Sequence, residues 1–406
     1  MLRLLRSTFE SLSIRSYRIW FLAALVTNTG TWMQRVAQDW LVLRVLTSDS
    51  ASATGLTTAL QFLPVVFLSA HAGVVVDRVD SRRLLLVTQL VLAAVSGALA
   101  LDVLLEGVRL WHVYLAATLT GVVAAYDGPA RQVFVARMVP AANLANAVGL
   151  NSASFNAARL LGPAVAGAAV AWVGPGWVFL LNAVSFLFPA LSLLAMRADE
   201  LYEMPRASRG KGQIRAGLAY VRHRPDLLVI MVVMFLVSML TLNYQLTMAA
   251  MVRSVFDLQS QAYGTVSSVF AVGSLAGALV AARRRAPGLR VVLLAAGVLG
   301  LMSLLLSVMP TFETFAVVTV PTGLATLTLL TAANQAVQLT TEPEMRGRVI
   351  SLYMLAFLGA TPMGAPLIGW VSDLWGPRWV IAVGGWTAVL VAAGAGLWLR
   401  RFPARV

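Results

Sequence analysis

Long apolar segments separated by short polar connections run through almost the whole chain, and they constrain its fold more than any other feature. A helix that crosses a bilayer needs about 20 mostly apolar residues. The segments that meet this length are 19–46, 53–76, 84–105, 110–134, 144–173, 177–196, 227–252, 263–282, 291–309, 315–339, 349–371 and 379–399. The sequence therefore predicts an all-α membrane protein with twelve transmembrane helices.

The composition excludes several classes of protein. Hydrophobic residues make up 59% of the chain and charged residues only 12%, which leaves too little polar surface for a soluble fold. The net charge of +14 does not indicate nucleic-acid binding, because the basic residues lie in short connections between apolar segments. The chain has no cysteine, and its three histidines lack metal-ligand spacing. We therefore expect no metal, no cofactor and no nucleic-acid partner.

One long polar stretch, 197–225, divides the apolar segments into two sets of six. It carries seven Lys and Arg residues. Cytoplasmic connections of membrane proteins are rich in Lys and Arg, and most of the 31 basic residues fall on the cytoplasmic side if both termini are cytoplasmic. The predicted domains are thus an N-terminal six-helix bundle (1–196), a cytoplasmic linker (197–225) and a C-terminal six-helix bundle (226–406).

The two halves also share a weak, ordered sequence repeat. At corresponding points, Ala130, Gln132, Pro140, Pro163, Gly174, Pro175 and Trp177 match Ala333, Gln335, Pro343, Pro366, Gly376, Pro377 and Trp379. An internal repeat of this kind is typical of transporters whose two halves enclose a central cavity. We therefore expect two pseudo-symmetric six-helix bundles.

The connection after the second segment contains a charged motif, Gly73-Val-Val-Val-Asp77-Arg78-Val-Asp-Ser-Arg82-Arg83. A glycine allows close backbone approach, and an aspartate there can accept hydrogen bonds from a helix N-terminus or pair with an arginine of the other half. We interpret Asp77 and Arg78 as gating residues. For Arg82 and Arg83, a gating role and a purely topological role both remain open.

This motif resembles the G-x-x-x-D-R-x-x-R-R signature of the major facilitator superfamily. Residues 30–43 and the Gly128-Pro-Ala-Arg-Gln segment are similar to the branch that contains the enterobactin exporter and macrolide efflux proteins. The resemblance implies the major facilitator fold and alternating access. It also implies proton-coupled efflux of a drug, siderophore or secondary metabolite.

Charged residues inside apolar segments are costly and mark functional sites. Arg35 and Asp39 stand four residues apart on one face of the first segment, which also carries Gln38. One interpretation is that Asp39 binds the coupling proton or a cationic cargo, and that Arg35 controls its pKa. The alternative is an internal ion pair that only neutralises itself.

Three further charged residues lie inside apolar segments of the first half. Arg159, near Asn156, is expected to bind an anionic group or to pair with Asp127 or Asp39 in one state, unless it is a static tether between helices. Asp127 and Arg131 flank Gly128-Pro129 and either form a gate or simply reach the water at the end of the helix. In the second half, Asn243, Gln245 and Asn334 give two segments polar stripes that we predict to meet the cargo.

Two other classes of function remain open from the sequence, namely the permease of a separate ATPase and a non-transporting sensor. No phosphate-binding loop occurs in the chain, and its polar residues form no catalytic set, so we do not expect an enzyme. The predicted location is the bacterial inner membrane. The predicted partners of this monomer are a small molecule, protons and the lipid bilayer, and the charge of the cargo stays undetermined.

Overall fold

The computed structural model describes residues 9–202, 213–282 and 288–401, and within them it contains helices and no strand. The first six helices are α1 (Arg15–Trp40), α2 (Ala51–Arg78), α3 (Ser81–Leu104), α4 (Leu110–Arg137), α5 (Leu144–Val173) and α6 (Pro175–Ala195). They are followed by α7 (Gln213–Arg222), α8 (Pro225–Leu240), α9 (Tyr244–Ala250), α10 (Ser260–Ala282), α11 (Leu289–Ser307), α12 (Phe312–Thr340), α13 (Pro343–Trp375) and α14 (Pro377–Arg401). Short 3₁₀ turns lie at Glu10–Ser13, Ala141–Asn143 and Ala198–Glu200.

Eight helical stretches among the described residues are long and apolar enough to cross a membrane. They lie in α2, α3, α6, the α8–α9 region, α11, α12, α13 and α14. The long helices α1, α4, α5 and α10 are not among them. Of these, α1 carries Arg35 and Asp39, α4 carries Asp127 and Arg131, and α5 carries Arg159.

The chain forms two compact units. Unit 1 comprises the described residues of Met1–Leu46 and Leu63–Ala207, and unit 2 those of Thr47–Phe62 and Ser208–Val406. In unit 1, α1 packs against α5 and α6, and α3 packs against α4 and α6. One end of this unit is filled by a buried cluster whose largest members are Tyr17, Trp20, Phe134, Met138 and Leu193.

Close helix contacts characterise unit 2, where α10 packs against α12, α11 against α14, and α8 against α13. Gly273 and Gly277 of α10 face the backbone carbonyls of Val320 and Leu324, and a Cβ at either glycine would overlap that carbonyl. Gly323 of α12 lies equally close to the carbonyl of Phe270. Small residues of this kind let two backbones touch, which is how helices associate where lipid removes the hydrophobic driving force.

The same local geometry recurs at corresponding places in both units. Gly174 and Gly376 have φ angles of 82° and 87°, and each is followed by a proline that begins a helix. Helix α1 continues into a π-helical turn, Leu41–Leu46, as α9 does at Met251–Val255. The two glycines are among the positions that the sequence repeat pairs.

Candidate functional site

Helix α1 is fixed in unit 1 by a buried polar network on one of its faces. The Oε1 atom of Gln34 accepts hydrogen bonds from Ser96 Oγ at 2.6 Å and from Asn182 Nδ2 at 2.5 Å. Thr27 Oγ1 donates to the carbonyl of Ser185 at 2.6 Å. Because Gln38 lies one turn after Gln34, it shares this buried face and is only 4% exposed. Gln38 is therefore placed with the packing network of α1.

A second face of α1 presents Trp32, Arg35 and Asp39, which are spaced by three and four residues. Gly162 allows α5 to approach this face, because a Cβ there would lie 2.5 Å from Trp32 Cβ and 3.4 Å from the backbone nitrogen of Met33. Arg159 stands one turn before Gly162 on α5. The close crossing of α1 and α5 thus brings charged groups of both helices together.

The indole of Trp32 is the centre of this cluster. The Cζ atoms of Arg35 and Arg159 lie 4.6 Å and 5.7 Å from its ring centroid, distances at which both cations are attracted to the ring. Phe155 packs edge-on against the same indole, with the ring centroids 5.8 Å apart. We call Trp32, Arg35, Asp39, Phe155 and Arg159 the Trp32 cluster.

The positive and negative charges of the Trp32 cluster do not cancel. Arg35 is attracted by Asp39 and repelled by Arg159. Asp39 is only 8% exposed, and its electrostatic partner in the cluster is Arg35. With all three groups ionised, the cluster carries one net positive charge, and protonation of Asp39 raises that to two.

The remaining predicted pathway residues lie elsewhere. Asn243 is buried at the break between α8 and α9, where its Nδ2 donates to the carbonyls of Met239 at 2.9 Å and Ser238 at 3.3 Å. It satisfies backbone groups that the break leaves open. Gln245 is half-buried, and the half-buried Asn334 accepts a hydrogen bond from Gln338. The side chain of Asn156 lies outside the described part of the structure.

The charged motif 73–83 spans the end of α2 and the start of α3. The side chain of Asp77 falls outside the described part of the structure, Gly73 lies within α2, and Arg78 and Arg83 are exposed. Arg82 donates to the carbonyl of Leu193 at 2.6 and 2.9 Å and to that of Met196 at 2.7 Å. Arg82 therefore binds the C-terminal end of α6, where a cation is favoured by the helix dipole.

Sequence reasoning missed Asp80 in this motif. Asp80 is the N-cap of α3, and it accepts from the backbone N–H of Arg83 at 3.0 Å and from Arg137 Nη1 at 3.3 Å. Partial burial opposes its ionisation, but these hydrogen bonds and the charge of Arg137 outweigh burial and lower the pKa of Asp80. An aspartate just before a helix is an N-cap signal, so the residue was recognisable from the sequence.

We expect Asp80→Ala to destabilise unit 1 at neutral pH by roughly 0.5–2 kcal/mol, the usual contribution of an N-cap. Because the folded-state pKa is lowered, the stabilisation is present above the ordinary value of 3.8 and is lost as the pH falls below it. Thermal unfolding in detergent at about pH 7 and about pH 3 measures this, on either side of the ordinary carboxyl pKa. The control is Asp199→Ala, which removes an exposed aspartate. An equal loss of stability at both pH values would contradict the role of the ionised cap.

Asp127 and Arg131 form an ion pair in unit 1. Asp127 Oδ1 accepts from Thr88 Oγ1 at 2.8 Å and from Gln89 Nε2 at 2.6 Å, while Oδ2 accepts from Arg131 at 2.9 and 3.2 Å. The guanidinium of Arg131 also lies 5.4 Å from the ring of Trp20. In this structure the partner of Asp127 is therefore Arg131, and Arg159 belongs to the Trp32 cluster instead. Among the described residues, no group of His, Asp or Glu is arranged to hold a metal ion.

Solved structures define the class of this fold. The bacterial homologue of the human lysosomal transporter Spinster superposes with a TM-score of 0.75 at 15% identity, covering 96% of this chain and 98% of that one. The D-xylose–proton symporter gives a TM-score of 0.71 at 13% identity, covering 93% and 96%. The chain therefore shares the fold of these two solved proteins.

The family follows from the sequence match. Residues 6–404 match the transmembrane secretion effector family of the major facilitator superfamily, and the chain belongs to this family. The multidrug efflux pump Tap of Mycobacterium tuberculosis is 26% identical over 361 residues, which is 86% of this chain and 85% of that protein. The staphyloferrin A transporter of Staphylococcus aureus is 22% identical over 264 residues, 65% of this chain and 66% of that protein.

A third relative, macrolide efflux protein A of Streptococcus pyogenes, is 22% identical over 157 residues, 39% of this chain and 38% of that protein. The resemblance inferred from the motif 73–83 is thus confirmed. The chain is a multi-pass membrane protein of a transporter family and is not an enzyme.

Proposed function

We propose that this protein is a secondary active transporter of the bacterial inner membrane that exports a small molecule by alternating access in exchange for protons. The family and the efflux activities named for its relatives support export. The proposal includes twelve transmembrane helices in two six-helix bundles, cytoplasmic termini and a monomeric transporter. Asp77 and Arg78 are its proposed gating residues.

The observation that carries the proposal is the Trp32 cluster. Asp39 is a buried carboxylate whose electrostatic partner is Arg35. A proton on Asp39 removes that partner's counter-charge, so the repulsion between Arg35 and Arg159 is no longer offset. Both guanidinium groups contact Trp32, and the position of this ring therefore depends on the protonation of Asp39.

The Trp32 cluster offers a surface to the cargo through Phe155. Phe155 is 47% exposed and packs edge-on against Trp32, which is only 7% exposed, so Phe155 presents an apolar contact next to charged groups. This combination suits an amphiphile such as a drug, a siderophore or another secondary metabolite. Cargo and proton then act on one indole, and each alters the binding of the other. Gln245 and Asn334 are the proposed contacts for polar groups of the cargo.

Transport into proteoliposomes tests this function. We expect a pH gradient to drive the movement of at least one member of a panel that contains rhodamine 6G, carboxyfluorescein and a macrolide. The two dyes share a xanthene ring and differ in charge, so they also report which charge the site accepts. Loss of flux when the gradient is collapsed by an ionophore is expected. Flux that needs ATP, or no gradient-dependent flux of any panel member, would contradict the proposal.

A further inference from the structure

The start of α2 is held by a side chain that is distant in sequence. The carboxylate of Asp373, near the end of α13, accepts from the backbone N–H groups of Ala51 at 2.7 Å and Ser52 at 2.9 Å. It also accepts from Ser50 Oγ at 3.2 Å. A carboxylate at this position binds the N–H groups that a helix leaves open at its first turn. All of these residues belong to unit 2.

Helices α2 and α13 also touch through their backbones next to the carboxylate of Asp373. Ala365, Gly369 and Asp373 are spaced by four residues and lie on one stripe of α13. A Cβ added at Gly369 would overlap the carbonyl of Ala51, and one at Gly55 would overlap the carbonyl of Ala365. Ala51, Gly55, Ala365 and Gly369, which form these touching points, are all small residues.

Ion pairs of Arg253 also fasten the segment before α2 within unit 2. Arg253 Nε lies 3.2 Å from Asp49 Oδ1, and its Nη1 lies 2.5 Å from Asp257 Oδ1. The arginine side chain is only 12% exposed. The chain is therefore fastened on both sides of residue 50, by Arg253 before the helix and by Asp373 at its first turn.

Helix α2 keeps a cap of its own without Asp373. The Oγ atom of Ser50 accepts from the backbone N–H of Ala53 at 3.2 Å, which is the geometry of a local N-cap. Asp373 therefore adds a long-range contact to a helix end that is already capped. Loss of that contact frees the start of α2 without unfolding it.

A proline lies farther along the same helix. The part up to Phe62 belongs to unit 2, and the part from Leu63 belongs to unit 1. Pro64 stands at this division, and a proline inside a helix removes one backbone hydrogen bond and favours a bend. The helix thus combines a breakable contact at its start with a weak point at the division.

We propose that Asp373 and Arg253 form a latch that holds the start of α2 on α13 and opens once in each transport cycle, with α2 bending at Pro64. The proposal rests on the alternating-access cycle put forward above. The contact consists of hydrogen bonds and ion pairs over small residues, which water can replace when the latch opens. No part of this latch coincides with the Trp32 cluster.

Spin-label distance measurements test the latch without any cargo or gradient. The native chain has no cysteine, so Leu56→Cys and Leu374→Cys place labels at two exposed positions on α2 and α13. We expect a short-distance population and a longer one, and we expect Asp373→Ala to enlarge the longer population by roughly two- to thirtyfold, the range that loss of a capping contact gives. Asp373→Asn is expected to have a smaller effect, because an amide oxygen still accepts hydrogen bonds.

A matched control pair, Leu294→Cys on α11 and Leu390→Cys on α14, labels two exposed positions on helices that stay packed. Its distance should not respond to Asp373→Ala. Identical distance distributions for the first pair with and without Asp373, or an equal shift in the control pair, would overturn the latch. Because this measurement needs no transport, failure of the flux assay would count against the proposed function alone.

Discussion

Replacing Asp39 by asparagine is expected to abolish uphill transport, by at least about tenfold, while downhill exchange of the same cargo continues. The amide that replaces the carboxyl group cannot take up or release a proton, so the Trp32 cluster stays at the charge of its protonated form. The pH gradient then has no group through which to act on Trp32. Accumulation of the cargo against its own concentration gradient is therefore lost. Flux of a dye in proteoliposomes, with and without an imposed pH gradient, separates the two effects.

The matched control is Asp102→Asn, which removes an aspartate of the same unit whose partner is His112 at the α3–α4 connection. This variant should keep gradient-driven transport. If Asp39→Asn transports uphill with the pH dependence of the wild type, Asp39 is not the coupling group.

The second large effect concerns the packing of unit 2, where we expect Gly277→Val to reduce stability by about 3 kcal/mol or more, at the upper end for overpacking. The Cβ of a larger residue would overlap the Leu324 carbonyl, and a backbone atom cannot move aside as a flexible side chain does. Helices α10 and α12 would have to separate along their whole contact. The measurement is the thermal unfolding temperature of the purified protein in detergent, together with its yield.

Gly394→Val in α14 is the control for this substitution, because a Cβ at Gly394 meets nothing within 4 Å. Both variants place a β-branched residue in a helix and so share the same intrinsic penalty. Equal losses of stability in the two variants would show that helix propensity, rather than the close contact of α10 and α12, causes the effect.

The charged members of the Trp32 cluster were recognisable from the sequence, but their common centre was not. Arg35, Asp39 and Arg159 stand out because charges are rare in apolar segments. Their meeting on one indole depends on Gly162, which sets the crossing of α1 and α5. No local pattern specifies that crossing, and a tryptophan in a membrane helix is more often interpreted as packing.

The surroundings of two predicted pathway residues, Gln38 and Asn243, could not be read from the sequence. Gln38 lies one turn from Gln34 on the buried face of α1, and its polar character alone does not show which face it occupies. Asn243 donates to the carbonyls at a helix break that hydropathy does not reveal, since the apolar stretch continues across it. Both positions depend on the three-dimensional packing of helices, which the local sequence does not specify.

The contacts of Asp373 could not be predicted from the sequence either. It looks like an ordinary charge at the end of an apolar segment, and its partners, Ala51 and Ser52, lie more than 300 positions earlier in the chain. By contrast, Asp80 follows a local capping rule and was within reach of sequence reasoning. Contacts set by helix ends are predictable only where both partners are close in sequence.

If cargo and proton act on each other through the Trp32 cluster, binding of the cargo must release or take up protons. Purified protein in weakly buffered detergent solution is titrated, in the presence of a pH-sensitive dye, with the panel member that the flux assay shows to be transported. We predict that the wild type changes the pH when this compound binds, and that Asp39→Asn binds it with no change in pH. Binding without proton exchange in the wild type, or equal proton exchange in Asp39→Asn, would contradict the account.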